Sequence, residues 1–398
     1  MKKSLFALAA VGAFTGAAQA QSSVTVYGTL DAAVTQATNK YTATGAVTTQ
    51  TSRTTANGDG ALSTSLFGLR GTEDLGGGNR ASFVLEYDLI DIGSGGTGAN
   101  VESKTSANTL INGTANANTV SAAGFGARQS WLGLSTSMGE LRIGRQFSVM
   151  HSVFMAGSAG AGNNMAGAVY SSGTNAAVND ASVRPYDVFI DRAITYRAPA
   201  VSGIQLELQG SAQYITSGET VAATANSQIG AAVTYTGIKN LTAAYSMVKV
   251  GINSVTATSG DTNLTTHVIA ANYNFGPVQA FGNWSTRTLD WASGANAAKT
   301  TNSEIGFRAP VTPTIGLWAS AFTGQRSSGL SSNTATTTVA LASGQADTKG
   351  FQVGATYAFS KRTTAYGIFG AQEIKGKAAQ NTAKVSSEGL ALGLRHTF

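Results

Sequence analysis

Apolar and polar side chains alternate along most of this chain with a period of two, the spacing that sends successive residues to opposite faces of a β-strand. At residues 23–35, Val24, Val26, Leu30, Ala32 and Val34 share one face, while Thr25, Tyr27, Thr29, Asp31 and Thr35 share the other. The pattern recurs at 65–74, 80–90, 128–136, 141–147, 192–199, 204–214, 227–236, 241–250, 264–275, 278–289, 303–310, 315–326, 349–359, 363–373 and 384–398, which makes sixteen strands. The last one alternates to a terminal aromatic, with Leu390, Leu392, Leu394 and Phe398 on one face and Gly389, Ala391, Gly393, Arg395 and Thr397 on the other. An unpaired edge of that kind templates aggregation, so it needs a mate. The first strand carries the matching pattern, and the two chain ends are expected to pair and close a cylinder.

Connection lengths support closure in a membrane. Short turns at 75–79, 138–140, 201–203, 237–240, 276–277, 311–314 and 360–362 interleave with long polar segments such as 93–124, 148–187 and 327–348. Tight turns at one end and long loops at the other are the layout of a membrane-spanning barrel. No segment has the roughly 18 uninterrupted apolar residues of a transmembrane helix, so only strands can span. The fold class read from the pattern is all-β, a sixteen-stranded antiparallel transmembrane β-barrel. Aromatics gathered at strand ends, Tyr273, Phe275, Tyr357, Phe359 and Phe398, fit an interfacial girdle.

Composition narrows the compartment. Charged residues are 12% of the chain, about half the usual quarter of a soluble domain. Lys2-Lys3, the apolar stretch from Leu5 to Phe14 and the ending Ala18-Gln19-Ala20 form the three parts of a cleaved secretory signal peptide at 1–20, leaving a barrel domain at 21–398. The chain has no cysteine, which removes disulfides and thiol catalysis from consideration. Its formal charge of +6 is dispersed through the strands and gathers in no run, so a nucleic-acid surface is not expected.

Five segments together resemble the trimeric general porins of Gram-negative bacteria, most closely those of Burkholderia- and Neisseria-like proteobacteria. They are Ser23-Val24-Thr25-Val26-Tyr27-Gly28, the run from Phe67 to Gly76 (FGLRGTEDLG), Trp131-Leu132-Gly133-Leu134, Leu141-Arg142-Ile143-Gly144-Arg145-Gln146, and the closing Gly393-Leu394-Arg395-His396-Thr397-Phe398. The resemblance implies an outer-membrane homotrimer among lipid and lipopolysaccharide, forming a water-filled diffusion channel for small hydrophilic solutes and ions. It also implies that the third external loop, here 148–187, folds into the lumen as a constriction. Forty residues without strand pattern, rich in Gly and Ala, leave room for this.

Charged residues that line such a pore set its selectivity. Alternation turns Asp31, Arg70, Glu86, Asp88 and Arg142 to the water face. Arg128 joins them if Trp131 faces lipid. The resemblance adds Arg70 and Arg128 as a basic constriction cluster, Glu86 as a neighbouring acidic position and Arg192 as a further basic one. Arg192 and Arg145 share parity with the lipid-side Ile194 and Ile143, so each requires a bulge to reach the lumen. Acidic residues reach the end of the long loop with Asp187 and Asp191. Between Ser148 and Asn179 the loop carries none, a departure from the family's acidic constriction loop that predicts anion preference.

The main alternative is a substrate-specific outer-membrane uptake channel, which needs an aromatic track along the lumen, and Trp131, Trp284, Trp291 and Trp318 form no run. An enzyme is not expected, since the three histidines, His151, His267 and His396, suggest no nucleophile–base pair. No metal-ligand cluster or phosphate-cradling loop is visible, so no cofactor is expected.

Overall fold

The computed structural model describes residues 23–43, 46–57, 60–90, 124–160, 162–163, 165–169, 188–211, 225–253, 262–291, 298–327, 345–377 and 384–398. The expected signal peptide and Asp187 lie outside the described residues. The elements are β1 (Ser23–Ala43), β2 (Ala46–Asn57), β3 (Leu66–Gly76), β4 (Asn79–Ile90), β5 (Gly124–Thr136), β6 (Gly139–Phe147), the helix α1 (Val149–Ala156), β7 (Phe189–Arg197), β8 (Ile204–Ser211) and β9 (Ala225–Tyr235). Then follow β10 (Leu241–Asn253), β11 (Thr262–Asn274), β12 (Gln279–Trp291), β13 (Ala298–Pro310), β14 (Ile315–Arg326), β15 (Ala346–Ala358), β16 (Thr363–Gly376) and β17 (Lys384–Thr397).

All neighbouring strands pair antiparallel, and β17 returns to β1 with Thr29 opposite Thr397 and Thr42 opposite Lys384. The wall therefore has sixteen positions, a closed antiparallel barrel. The seventeenth strand, β2, is an outgrowth. It pairs with the upper part of β1, from Ala33 to Ala43, whereas β3 takes the lower part, from Ser23 to Thr29. β2 carries no alternation in its sequence, which has threonine at both odd and even positions.

Where β1 changes partner, its backbone at Asp31 has no strand on one edge. Ser65 fills the gap, its hydroxyl accepting from Asp31 N at 2.9 Å and donating to Asp31 O at 3.2 Å. The Asp31 carboxylate is closed off in turn, accepting from Ser63 N at 2.7 Å and from the Tyr366 hydroxyl of β16. At 1% exposure Asp31 belongs to the wall's interior, which corrects the expectation that it lines the pore. Its polarity serves a backbone crossing instead.

The outer face is as the alternation indicates: Val24 is 65% exposed, Leu132 64% and Ile305 71%, side chains whose partner in a membrane is lipid. Inside, α1 is capped by Ser148, whose side chain accepts from His151 N. It buries Val149, Met150, Val153 and Phe154 against Val248, Leu264, Val268 and Ala270 on β10 and β11. The spacing of those four residues is helical, but eight residues in a Gly- and Ala-rich segment are too few to read as a helix from pattern alone.

The seam itself depends on a close approach. Gly28 N and O exchange hydrogen bonds with Phe398 O and N, both at 3.1 Å, and the Phe398 ring lies where a Gly28 side chain would stand. A Cβ there would sit 2.4 Å from Phe398 Cζ and 2.7 Å from Leu66 O. Gly28→Val is therefore expected to destabilise the barrel by about 1–3 kcal/mol, the usual range for overpacking. The urea midpoint of the heat-modifiable folded band in vesicles measures it.

Candidate functional site

The chain beyond α1 follows the inner wall, and side chains from successive strands hold it. Asn272 of β11 donates to Ala156 O at 2.8 Å, and Asn283 of β12 to Gly157 O at 3.2 Å. Ser158 donates to Glu304 of β13 at 3.3 Å, and Arg308 donates twice to Ala159 O, at 2.7 and 3.1 Å. Gln352 of β15 then grips the segment most extensively. Its amide nitrogen donates to Asn163 Oδ1 at 2.9 Å, Met165 O at 3.3 Å and Ala166 O at 3.1 Å, and Asn163 donates back to Gln352 Oε1. Gln372 of β16 accepts from Gly167 N at 3.2 Å. At Gly370 the segment's backbone touches the wall so closely that a Cβ would lie 1.8 Å from Ala166 O, so only glycine fits.

These contacts cover β11 to β16. A second arc, β1 and β3 to β7, carries the arginines and carboxylates of the candidate site. Arg70 lies 5.1 Å over the Tyr27 ring, and Tyr27 donates to Glu86 Oε2 at 2.9 Å. Arg128 bridges both carboxylates of β4, Nε to Glu86 and Nη1 to Asp88, each at 2.7 Å. Arg142 pairs with Glu140 at 2.6 Å and lies 4.7 Å over Trp131. Arg145 pairs with Asp191 and stacks 4.9 Å from the centre of the Phe189 ring, which Arg128 approaches at 5.3 Å.

A barrel whose third long segment folds against its inner wall opposite a charged arc is a porin's architecture, and the profile of the Gram-negative porin family matches residues 7–377. The chain belongs to the Gram-negative porin family. Outer membrane porin protein 32 of Delftia acidovorans is 37% identical over 145 residues, 36% of this chain and 32% of that protein. A Bordetella pertussis outer membrane porin protein is 32% identical over 160 residues, 39% of this chain and 36% of the relative. The chain thus spans about a third of the length of the curated relatives it matches. Among solved structures, an anion-selective porin from Comamonas acidovorans has a TM-score of 0.64 at 20% identity, covering 95% of this chain and 100% of that one. OmpT of Vibrio cholerae in its trimer form has a TM-score of 0.58 at 13% identity, covering 95% and 99%.

Within this porin, the structure corrects one step of the parity reasoning. Trp131 pairs with Val84 and Gly144 and lies under Arg142, so it faces inward and does not meet lipid. Strict alternation would then turn Arg128 outward. A bulge rescues it: Gln129 pairs with Glu86 and Ala127 with Tyr87, leaving Arg128 as the extra residue that swings to the carboxylates. A second irregularity falls between Gly144 and Gln146, opposite Ile190 and Ala193, and involves Arg145, Asp191 and Arg192. Arg192 is exposed and has φ of 53°, an uncommon left-handed conformation for a side-chain-bearing residue. Glu86, only 6% exposed, serves as an anchor for Arg128 and Tyr27. Sequence reasoning missed the anchors Arg308, Gln352 and Gln372, whose inward parity was available but whose partner was a loop without pattern.

Two outcomes follow. Gln352→Ala removes the grip on Asn163, Met165 and Ala166 and is expected to cost about 1–3 kcal/mol of local stability. In planar bilayers it should raise open-channel current noise while strand content by circular dichroism stays unchanged. The second concerns His151, stacked at 4.4 Å on Phe147 in the first turn of α1. Burial, reinforced by the Arg128 charge, lowers its pKa from 6.5 to about 3, so the docked imidazole is neutral. Undocked, it titrates near 6.5. Docking therefore keeps its full strength above that pH and weakens as pH falls towards 3. Acid-induced current noise should grow over that window and lose this component in His151→Gln.

Proposed function

We propose that this porin is a water-filled diffusion channel of the outer membrane for small hydrophilic solutes and ions, that it assembles as a homotrimer among outer-membrane lipid and lipopolysaccharide, and that it prefers anions. The trimer form of Vibrio cholerae OmpT supports the assembly, and the anion-selective Comamonas acidovorans porin supports the preference. The observation that carries the preference is the contrast across the lumen. One arc presents Arg70, Arg128, Arg142 and the region of Arg145 and Arg192, while the infolded segment opposite, from Ser148 to Val169, has no acidic residue. Arg70 has no carboxylate within ion-pair range among the described residues, so its charge acts on whatever passes.

The preference is modest, because Glu86 and Asp88 offset Arg128 and Glu140 offsets Arg142. A unit charge about 8 Å from a permeating ion in water contributes roughly 0.5 kcal/mol, a change of about twofold in local ion occupancy. Reversal potentials in a potassium chloride gradient give the test. The wild type should favour chloride, Arg70→Ala should reduce the ratio by about twofold, and Arg128→Ala, which exposes two carboxylates, should turn it towards potassium. Cation preference in the wild type, or an unchanged ratio in both variants, overturns the proposal.

A further inference from the structure

Beside α1, between the helix and the wall of β5 to β9, lies a recess of about 140 Å³. Arg142, Arg197 and Glu207 line it, with Gln129, Ser152 and Thr234 around them. The charged groups are incompletely engaged. Arg142 gives Nη2 to Glu140, but its buried Nε has no acceptor. Arg197 gives Nη2 to Gln205 at 2.6 Å. Glu207 forms a loose ion pair with Arg197, 3.9 Å from its Nε and beyond hydrogen-bond range, and its carboxylate accepts no hydrogen bond among the described residues.

Two guanidinium groups and a carboxylate with no hydrogen bond between the opposite charges thus share one small, half-enclosed space. A simple anion would satisfy the arginines and be repelled by Glu207. A simple cation would meet the reverse. A solute carrying both charges a few ångströms apart satisfies both, since charge-assisted hydrogen bonds form at each end. We infer that this recess is a subsite for small zwitterions of the α-amino acid class, the carboxylate held by Arg142 and Arg197 and the ammonium by Glu207. Selection would come from the penalty that a singly charged analogue incurs by leaving one partner unpaired.

The inference rests on the reading of the chain as an open channel and is tested apart from it. Saturation-transfer NMR on the full-length folded protein in detergent, with L-alanine, L-lactate and isopropylammonium as probes of nearly equal shape, compares the three charge types. L-Alanine should bind about tenfold more tightly than either analogue, equivalent to about 1.4 kcal/mol. Glu207→Gln should erase its advantage over L-lactate, and Arg197→Gln should erase its advantage over isopropylammonium. Lactate binding as tightly as alanine to the wild type, or an undiminished alanine preference in Glu207→Gln protein that keeps its heat-modifiable barrel, overturns the inference. Bilayer conductance on the same preparation separates the two readings. Absent ion flux defeats the channel, whereas intact flux without alanine preference defeats the subsite.

Discussion

In hydrocarbon an unpaired backbone amide or carbonyl has no water to turn to, so a strand can cross a membrane only if both of its edges are occupied. Everything else in this structure depends on that requirement being met at one seam, where β1 meets β17. The ladder there runs without a break from Thr29 opposite Thr397 to Thr42 opposite Lys384. Phe398 extends it by one reciprocal pair of bonds to Gly28. The terminal aromatic is therefore both the last rung of the wall and the group that covers the glycine beneath it. With the ring closed, each inward position has a fixed neighbour, and a charged site can be built on it.

A strand longer than the wall creates a second backbone problem, and its solution uses chemistry that the sequence offered for another purpose. β1 continues past β3 and must find a new partner in β2, leaving the chain at Asp31 between ladders. Ser65 supplies the missing bonds to the Asp31 backbone, and Ser63 and Tyr366 donate to its carboxylate. A buried carboxylate is costly unless several donors surround it. Here the donors come from two separated stretches of chain, so the cluster ties β1, the return to β3, and β16 together.

Strand existence, strand spacing and the pairing of the two ends were legible because lipid on one side and water on the other impose strict alternation. What alternation could not convey was any place where the backbone leaves it. The bulge at Arg128, the irregularity around Arg145 and Arg192, and the crossing at Asp31 each put a charged residue where parity is no guide. Parity argued from a lipid-facing Trp131 fails, since Trp131 faces inward and Arg128 reaches the carboxylates of β4 through the bulge. The resemblance implies the infolding of 148–187, but alternation could not show where the segment docks. Its small residues make few side-chain contacts of their own, and its position is dictated by Asn283, Arg308, Gln352 and Gln372, which lie more than a hundred residues away.

The type of cation used inside the barrel follows from how a charge must behave beside a flowing solution. Arg128, Arg142 and Arg145 are each held twice, once by a carboxylate and once by an aromatic face, and Arg70 rests over the Tyr27 ring. Arg128 lies near Phe189, Arg142 over Trp131 and Arg145 over Phe189, while Arg308 lies over Phe281 on the opposite wall. A planar guanidinium can stack and still direct several N–H groups sideways, which an ammonium on a flexible stem cannot do. Lysines instead populate the outward-facing upper ends of the last strands, where Lys349 and Lys384 reach Glu373 and Lys377 reaches Asp347. Exposed pairs of that kind contribute little and need no fixed geometry. A passing ion, by contrast, feels only the time-averaged position of a charge, so the stacked arginines act as fixed sources of potential. Their partial neutralisation by Glu86, Asp88 and Glu140 lowers the strength of that field while leaving its location fixed, which suits the proposed role of a channel that favours solutes without retaining them.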